Sequence, residues 1–206
     1  MIQLNKGAEP NVLAINKVRW LQEWEATGFT DNKIRDRYRH PDVKQALINA
    51  TSGKCGYCES KIAAIAYENI EHILPKSVRK DLVFEWQNMV TACPVCNTNK
   101  GDYHSDESPL INPYSDNPND HVTFQGPYIK SSTEKGRLTG TKLDLNRAEL
   151  ILRRAERLKL IDELVSRYNS ELDQQKKVVW REQIERELLN DKEYSAMLNG
   201  YVGGLN

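Results

Sequence analysis

The sequence contains no long hydrophobic run. None of its apolar stretches approaches the roughly 20 residues that a transmembrane helix needs, which argues against a membrane-spanning segment. The segment Met1 to Gly7 lacks the apolar centre of a signal peptide, so we expect a cytoplasmic protein. Disulfides are rare in the cytoplasm, and closely spaced cysteines there more often bind a metal ion.

The chain also lacks a surplus of charge of either sign. It has 29 Lys and Arg residues and 29 Asp and Glu residues, and residues 51–105 contain six of each kind. Because nucleic-acid-binding proteins usually carry a basic surplus, this balance argues against tight binding by the chain alone. We expect either that the fold separates the charges or that a partner contributes to phosphate binding. The basic run at residues 153–159 is typical of a solvated helix face, with nucleic-acid contact as the alternative.

Only four cysteines are present, and they form two Cys-x-x-Cys pairs, Cys55/Cys58 and Cys93/Cys96. A Cys-x-x-Cys turn places two sulfurs on one metal ion, and zinc favours four such ligands in a tetrahedron. We therefore predict one zinc ion with all four positions occupied by protein, which is a structural site. The alternatives are two separate redox pairs and four unliganded core cysteines.

Polar residues between and after these pairs predict a second, catalytic metal site. His72 ends a predicted strand and has the pKa range of a general base. Asn97 offers an amide oxygen that suits Mg²⁺, and Glu71 offers a carboxylate. Adjacent strand residues face opposite sides, so Glu71 needs a twist or bulge to reach the same site as His72. Asn88 is placed to orient the imidazole or to bond the backbone.

Other polar residues near this site have weaker assignments. Lys100, one helical turn after Asn97, and Lys76 are candidate phosphate contacts, although both are also compatible with ordinary surface residues. Asn88 could simply close a loop, and Asn97 could simply follow the second cysteine turn. Glu59 is expected to be solvated or to cap a helix.

The remaining chain is predicted to be mainly helical. Helices are predicted at residues 11–27 and 41–52, and a long loop with one hairpin at residues 103–140. Asn146 is the predicted N-cap of a helix that continues to about residue 172, and a second helix and a frayed tail follow. These features divide the chain into four regions: residues 1–53, a helical flank; 54–104, the metal-site core; 105–145, a long loop region; and 146–206, a helical region expected to dock a partner.

The core motifs resemble those of the HNH endonucleases, which have a ββα-metal fold. The matching motifs are Cys-x-x-Cys, Glu-His-x-x-Pro-Lys-Ser, Trp-x-Asn-Met and Cys-x-x-Cys-Asn-x-x-Lys. The resemblance places the three signature positions at His72, Asn88 and Asn97, with Asn replacing the last His and Glu71 replacing the more usual Asp. It implies an α+β fold with a zinc-stapled ββα-metal core and mainly helical N- and C-terminal flanks.

The resemblance extends to the nuclease subunits of the bacterial Septu anti-phage systems, called PtuB, and to related subunits found beside some retrons. It covers about residues 5–170 and includes Lys-Cys-Gly-Tyr-Cys-Glu, Pro-Leu-Ile-Asn-Pro and Thr-x-Leu-Asp-Leu-Asn-Arg. In that family the nuclease works with an ATPase, PtuA. The resemblance therefore implies an ATPase partner and a nucleic-acid substrate.

These observations favour an endonuclease that uses Mg²⁺ or Mn²⁺. In this hypothesis His72 activates water, Glu71 and Asn97 hold the metal ion, and Asn88 orients the base. The sequence leaves open whether the substrate is DNA or RNA. A zinc-stabilised binding module without catalysis is the main alternative, and a thiol oxidoreductase is a more distant one.

Overall fold

The fold combines two short β-hairpins with eight α-helices in the part of the chain that the computed structural model describes, residues 1–62 and 69–203. The predicted α+β class is therefore confirmed. No helix in those residues has both the length and the apolar character needed to cross a membrane. The elements are α1 (Asn11–Ala26), α2 (Asn32–Arg35), α3 (Pro41–Thr51), β1 (Asn69–His72), β2 (Met89–Ala92), α4 (Pro94–Lys100), β3 (Val122–Gln125), β4 (Tyr128–Ser131), α5 (Glu134–Lys142), α6 (Ala148–Ser170), α7 (Gln174–Glu187) and α8 (Ser195–Gly203).

Strands β1 and β2 pair antiparallel and lead directly into α4. The register runs without interruption from the pair Asn69 and Ala92 to the pair His72 and Met89. This continuous ladder contains no bulge, so the bulge considered for Glu71 is not formed. Helix α4 begins at Pro94, where the missing N–H of proline costs nothing. The predicted start of β1 at residues 67–68 lies outside the described residues.

Two apolar clusters pack against this hairpin. The first contains the four cysteines and side chains from the C-terminal helices, and the second lies among α1, α3 and the start of β2. Burial of one large apolar side chain contributes about 1.5–3 kcal/mol, so each cluster is a substantial source of stability. Members of the first cluster include Ile62, Val90, Leu145, Leu150, Ile161, Met197 and Leu198. Members of the second include Leu13, Trp24, Tyr38, Leu47, Phe84, Trp86 and Met89.

The N-terminal flank contains a segment that the sequence did not predict. Helix α2 is followed by a 3₁₀ helix at Asp36–Arg39, which places Tyr38 in the second cluster with 1% of its surface exposed. The predicted helix at 41–52 is present as α3. Its C-cap, Ser52, has a positive φ of 54°, and Gly53 follows at 71°. These left-handed residues end the helix and turn the chain toward the first cysteine pair.

The C-terminal half is more ordered than the sequence indicated. The predicted hairpin forms as β3 and β4, and helix α5 occupies part of the region expected to be loop. Helix α8 includes residues 200–203 of the tail that was expected to be frayed, and the rest of that tail, 204–206, lies outside the described residues. Met197 and Leu198 are fully buried in the first cluster, so tertiary contacts stabilise this glycine-containing segment as a helix.

Asn146 does not cap α6 as predicted. The N-cap is Arg147, which makes no side-chain capping hydrogen bond. The Asn146 amide instead bonds the backbone of Ile129 in β4. Its Oδ1 accepts from the Ile129 N–H at 2.8 Å, and its Nδ2 donates to the Ile129 carbonyl at 2.9 Å. One side chain thus replaces a missing strand partner and fixes the second hairpin to the beginning of α6.

This contact predicts how substitutions at Asn146 affect stability. We expect Asn146→Ala to lower the free energy of unfolding by about 1–3 kcal/mol, because both Ile129 backbone groups lose their partner. Asn146→Ser should destabilise nearly as much, although serine is a good N-cap. Urea unfolding of both variants measures the effect. A serine variant as stable as the wild type would show that capping is the dominant role.

Candidate metal centre and active site

The four cysteine sulfurs converge on one point. Their Sγ atoms all lie within 4.8 Å of one another, and the distance from Cys58 to Cys93 is 3.9 Å. All four side chains are buried and free. A tetrahedral zinc ion with Zn–S bonds of about 2.3 Å requires sulfurs about 3.8 Å apart. The predicted four-thiolate ligand set is therefore brought together, and its spacing fits zinc.

The first cysteine turn is pressed against β2. The Gly56 N–H donates to the Thr91 carbonyl at 2.9 Å, and a Cβ atom on Gly56 would lie only 2.6 Å from a methyl carbon of Val90. Glycine is therefore required by the close approach of the turn to the strand. This contact aligns Cys55 and Cys58 with the pair at the start of α4.

Arg147 lies beside the cysteine cluster. Its guanidinium nitrogens are 3.9 Å from the Cys96 Sγ and 4.0 Å from the Cys93 Sγ. Four thiolates around Zn²⁺ leave a net charge of −2, so a neighbouring guanidinium stabilises the liganded cluster. The sequence did not identify this role for Arg147. The Leu-Asp-Leu-Asn-Arg segment was noted, but its position beside the cysteines depends on the fold.

Glu59 is neither solvated nor a helix cap, in contrast to the expectation. It is 2% exposed and has a positive φ of 64°. Its carboxylate accepts from the Met1 amino group at 2.9 Å and from the Ser195 hydroxyl at 3.1 Å, with the Lys54 ammonium at 3.6 Å. Although burial alone would raise the pKa of Glu59, these two cations hold it below its ordinary value. Glu59 thus connects the first cysteine turn to α8.

His72 is buried with one ring nitrogen occupied and the other unpaired. Its Nε2 lies 2.9 Å from the Val83 carbonyl, which can only accept, so Nε2 carries the proton. Its Nδ1 has no hydrogen-bond partner. The ring meets the Tyr38 ring edge-on, with centroids 4.7 Å apart. Burial lowers the pKa of His72 to about 3, so the imidazole is neutral at pH 7 and its buried Nδ1 carries an unpaired lone pair.

Asn88 does not contact the imidazole. Its Oδ1 accepts from the Leu74 N–H at 2.8 Å, and its Nδ2 donates to the carbonyls of Leu74 at 3.0 Å and Leu82 at 3.3 Å. These bonds join the two sides of the loop that follows β1. Val83, the acceptor for His72, comes directly after Leu82. Asn88 therefore closes this loop through backbone hydrogen bonds, as the alternative prediction for it stated.

Glu71, Asn97 and Lys76 line one cleft of about 370 Å³. The two predicted metal ligands Glu71 and Asn97 are therefore brought to the same cleft, whereas His72, which the bulge was expected to bring to the side of Glu71, is not among the residues that line it. In the described residues, no group of three or more His, Cys, Asp or Glu ligand atoms occurs besides the four cysteines. Two protein oxygens fit Mg²⁺, which commonly binds one or two carboxylates and takes its other ligands from water and phosphate. The remaining lining residues are Tyr38, Arg39, Lys44, Asn69 and Ile70.

Lys100 makes contacts that differ from the predicted phosphate contact. It is 2% exposed, and its ammonium lies 2.6 Å from the Glu71 carboxylate and 2.8 Å from the His72 carbonyl. Burial raises the pKa of Glu71, and the positive charge of Lys100 opposes that rise. Lys100 therefore fixes the end of β1 to α4 and holds Glu71 in place, whereas Lys76 is left at the cleft surface.

The geometry predicts that metal removal affects the whole fold. We expect about one zinc per chain, since the four sulfurs form one tetrahedral ligand set. Cys96→Ser should abolish zinc retention and lower the thermal midpoint, because the cysteines belong to the core that contains the C-terminal helices. Elemental analysis and thermal unfolding measure both effects. Ser60→Ala is the control for zinc retention alone, since Ser60 contacts Cys58 and the Tyr194 hydroxyl but supplies no predicted ligand. Unchanged stability after complete zinc removal would contradict a structural metal.

Comparison with known proteins adds independent evidence on this site. Residues 55–103 match the family model described as HNH endonuclease. This range begins at the first cysteine and contains β1, β2 and α4, with all four cysteines and with Glu71, His72, Asn88 and Asn97. The predicted resemblance to HNH endonucleases is confirmed for this part of the chain.

Two curated proteins, each named Septu protein PtuB, are similar over most of the chain. The protein from Bacillus thuringiensis is 31% identical over 153 residues, which cover 74% of this chain and 57% of that protein. The protein from Bacillus mycoides is 30% identical over 202 residues, covering 79% of this chain and 68% of that protein. The match with the first relative thus spans little more than half of that relative's length. On this similarity, the chain belongs to the PtuB family of Septu proteins and contains an HNH endonuclease domain.

Proposed function

We propose that the protein is a metal-dependent endonuclease that hydrolyses phosphodiester bonds of nucleic acid in anti-phage defence. One observation carries the proposal: the oxygen donors Glu71 and Asn97 line one cleft, and Tyr38, which lines the same cleft, packs against His72, whose buried Nδ1 has no hydrogen-bond partner. The HNH match and the Septu names of the relatives support the same activity and role.

In the proposed reaction, His72 is the general base. The bond from Nε2 to the Val83 carbonyl fixes the tautomer and leaves the Nδ1 lone pair to take a proton from water. The water oxygen then bonds to phosphorus and the bond to the 3′ oxygen breaks; one fragment keeps a 5′-phosphate, and the leaving oxygen takes a proton from solvent to become the 3′-hydroxyl of the other. A nearby phosphate would also raise the low pKa of His72, because a negative charge favours the imidazolium that forms.

The cleft residues would hold the metal ion and the substrate. A Mg²⁺ or Mn²⁺ ion bound there would neutralise charge on the phosphate and on the leaving oxygen. Glu71 and Asn97 are its proposed protein ligands, and Lys100 keeps the Glu71 carboxylate in place. Asn88 maintains the loop that carries the acceptor for His72.

The proposal includes an ATPase partner that resembles PtuA and a cytoplasmic location. The support for the partner is the Septu PtuB name of both relatives and the zero net charge of the chain. A chain without a basic surplus gains from a partner that brings nucleic acid to the cleft. The four free cysteines are also consistent with a reducing compartment.

A zinc-stabilised binding module is the second candidate function. It is favoured by the burial of His72, which is 1% exposed beneath Tyr38. In that case the imidazole would serve only to join β1 to the loop at Val83. The two functions differ in whether any phosphodiester is hydrolysed, so cleavage assays separate them.

We expect His72→Ala to reduce cleavage by at least about 100-fold, the usual contribution of a general base. Wild type and variant would be incubated with plasmid, linear and single-stranded DNA and with RNA, in Mg²⁺ or Mn²⁺. His121→Ala is the matched control, because His121 bonds Thr133 and does not line the cleft. Equal cleavage by wild type and His72→Ala would refute the assignment of the base.

The assay should be run with and without the ATPase subunit. Cleavage only in its presence would support dependence on that partner. An intact, zinc-containing wild-type protein that cuts none of the substrates in either condition would favour the binding module.

Substitutions at Asn97 test the proposed metal site. Asn97→Asp keeps an oxygen donor and adds charge, so we expect half-maximal cleavage at a lower Mg²⁺ concentration. Asn97→Ala removes the donor and should require more Mg²⁺. Cleavage rates over a Mg²⁺ titration measure both shifts. The same Mg²⁺ requirement in all three proteins would exclude Asn97 as a ligand.

A further inference from the structure

The proposed base is contacted by a residue from outside the HNH-matched range. Tyr38 lies in the 3₁₀ helix Asp36–Arg39 of the N-terminal flank, before residue 55, where the match to the HNH family model begins. Its ring meets the His72 ring edge-on, with 87° between the two ring planes and 4.7 Å between the centroids. The N-terminal flank therefore contributes an aromatic ring to the surroundings of the imidazole.

A single hydrogen bond does not fix the orientation of that imidazole. The His72 Nε2 donates to the Val83 carbonyl at 2.9 Å, whereas the buried Nδ1 has no partner. An imidazole held at one nitrogen can still turn, because the torsion that rotates its plane has a broad energy minimum. Turning it would break the edge-to-face contact with Tyr38, so that contact opposes the rotation. The two contacts together restrain both the position and the plane of the imidazole.

The ring of Tyr38, rather than its hydroxyl, acts on His72. The Tyr38 hydroxyl accepts from the Arg39 Nε at 3.2 Å, and neither imidazole nitrogen bonds it. The side chain is 1% exposed and belongs to the second apolar cluster, with Leu47 and Phe84. Because close packing leaves a buried ring little freedom, Tyr38 is a rigid support for its neighbour.

Tyr38 also lines the cleft that contains Glu71 and Asn97, whereas His72 does not. One side chain thus contacts the imidazole and forms part of the wall of the candidate metal site. Since His72 is not among the lining residues, a rotation of its imidazole changes the distance from Nδ1 to the cleft. The orientation of this ring is therefore the quantity that a positioning residue has to control.

We propose that Tyr38 is a positioning residue for His72, whose imidazole it holds in the orientation in which Nε2 bonds Val83 and Nδ1 remains unpaired. The inference rests on the proposed nuclease function and makes the N-terminal flank part of the catalytic site. Tyr38 transfers no proton and binds no metal ion in this role. It keeps the reacting nitrogen in one place, and a displacement of about 1 Å can reduce a rate about 100-fold.

Cleavage kinetics test this role, with the ATPase subunit present if wild type requires it. Tyr38→Phe keeps the ring, so its kcat should stay near the wild-type value. Tyr38→Leu removes the ring and should lower kcat about 10- to 100-fold with little change in KM, because the orientation of the base affects the chemical step. If circular dichroism shows that the leucine variant is unfolded, Tyr38→Met replaces it, since methionine adapts better to the vacated volume.

Trp24→Leu is the matched control. Trp24 belongs to the same apolar cluster, and its ring also makes an edge-on contact, with Phe29 at 4.9 Å. It does not line the cleft. The substitution therefore removes a comparable buried ring without touching the candidate site, and kcat should remain at the wild-type value.

An NMR measurement without substrate tests the contact itself. Nitrogen-15 spectra of the folded protein at pH 8 report which ring nitrogen of His72 carries the proton, and the spectrum of His72→Ala identifies the signals. Wild type, Tyr38→Phe and Trp24→Leu should show the Nε2-protonated form. Tyr38→Leu should show a mixture of the two neutral forms, because an imidazole that turns loses its bond to Val83.

The outcomes separate this inference from the proposed nuclease function. Wild-type kcat and a single neutral form in Tyr38→Leu would overturn the positioning role and leave the nuclease intact. Faster cleavage by Tyr38→Leu would also overturn it, because the ring would then obstruct the base. The same loss of kcat in Tyr38→Phe or Trp24→Leu would contradict it as well. If wild type cuts no substrate in any condition, the nuclease fails, and the NMR spectra alone decide whether the ring orients the imidazole.

Discussion

The convergence of four cysteine sulfurs is the contact on which the rest of the structure depends. Strands β1 and β2 are four residues long, and an isolated two-stranded hairpin of this size is marginal in water. The sulfurs of the turn before β1 lie against those at the start of α4, so a zinc ion bound by all four would hold the hairpin and the helix in this arrangement. The C-terminal helices then pack on the same cluster. The placement of His72 and Glu71 at the end of β1 follows from this constraint.

Buried charged groups give the site its precision rather than its stability. Lys100 and Glu71 are both largely removed from water, and bringing two charges into the interior costs nearly as much as their attraction returns. The pair is useful because a mispositioned β1 would leave a buried charge unpaired, which costs about 3–5 kcal/mol. Glu59 and Lys54 act in the same way on the other side of the cysteine turns. An arrangement of the hairpin that separates either buried pair is therefore unfavourable.

The sequence predicted features that depend on spacing, and missed those that depend on distant contacts. Two Cys-x-x-Cys pairs specify a ligand set wherever they occur, and the helix at 41–52 has local start and stop signals. Asn146 also carries a correct local signal for an N-cap, but Ile129, which lies 17 residues earlier, competes for its amide. No local sequence pattern marks Tyr38, because its role is a contact with the ring of His72, which lies 34 residues later in the chain. Helix α8 is stabilised by the burial of Met197 and Leu198 in the first cluster, and the local sequence does not show that burial.

The interpretation of the basic run at residues 153–159 as a solvated helix face was wrong for the same reason. Arg154, expected on a solvated helix face, is 1% exposed and donates to the Leu145 carbonyl at 2.8 Å. Its neighbours Arg153 and Arg157 contact Glu193 at 3.4 Å and Glu187 at 2.6 Å. Arg153 and Arg157 therefore join α6 to segments that follow it in the chain, and they do not form a free basic surface. The total charge of the chain therefore does not show how many cations remain at its surface, since these arginines are used within the fold. The surface potential at the site, rather than the sum over the chain, decides whether a phosphate is attracted.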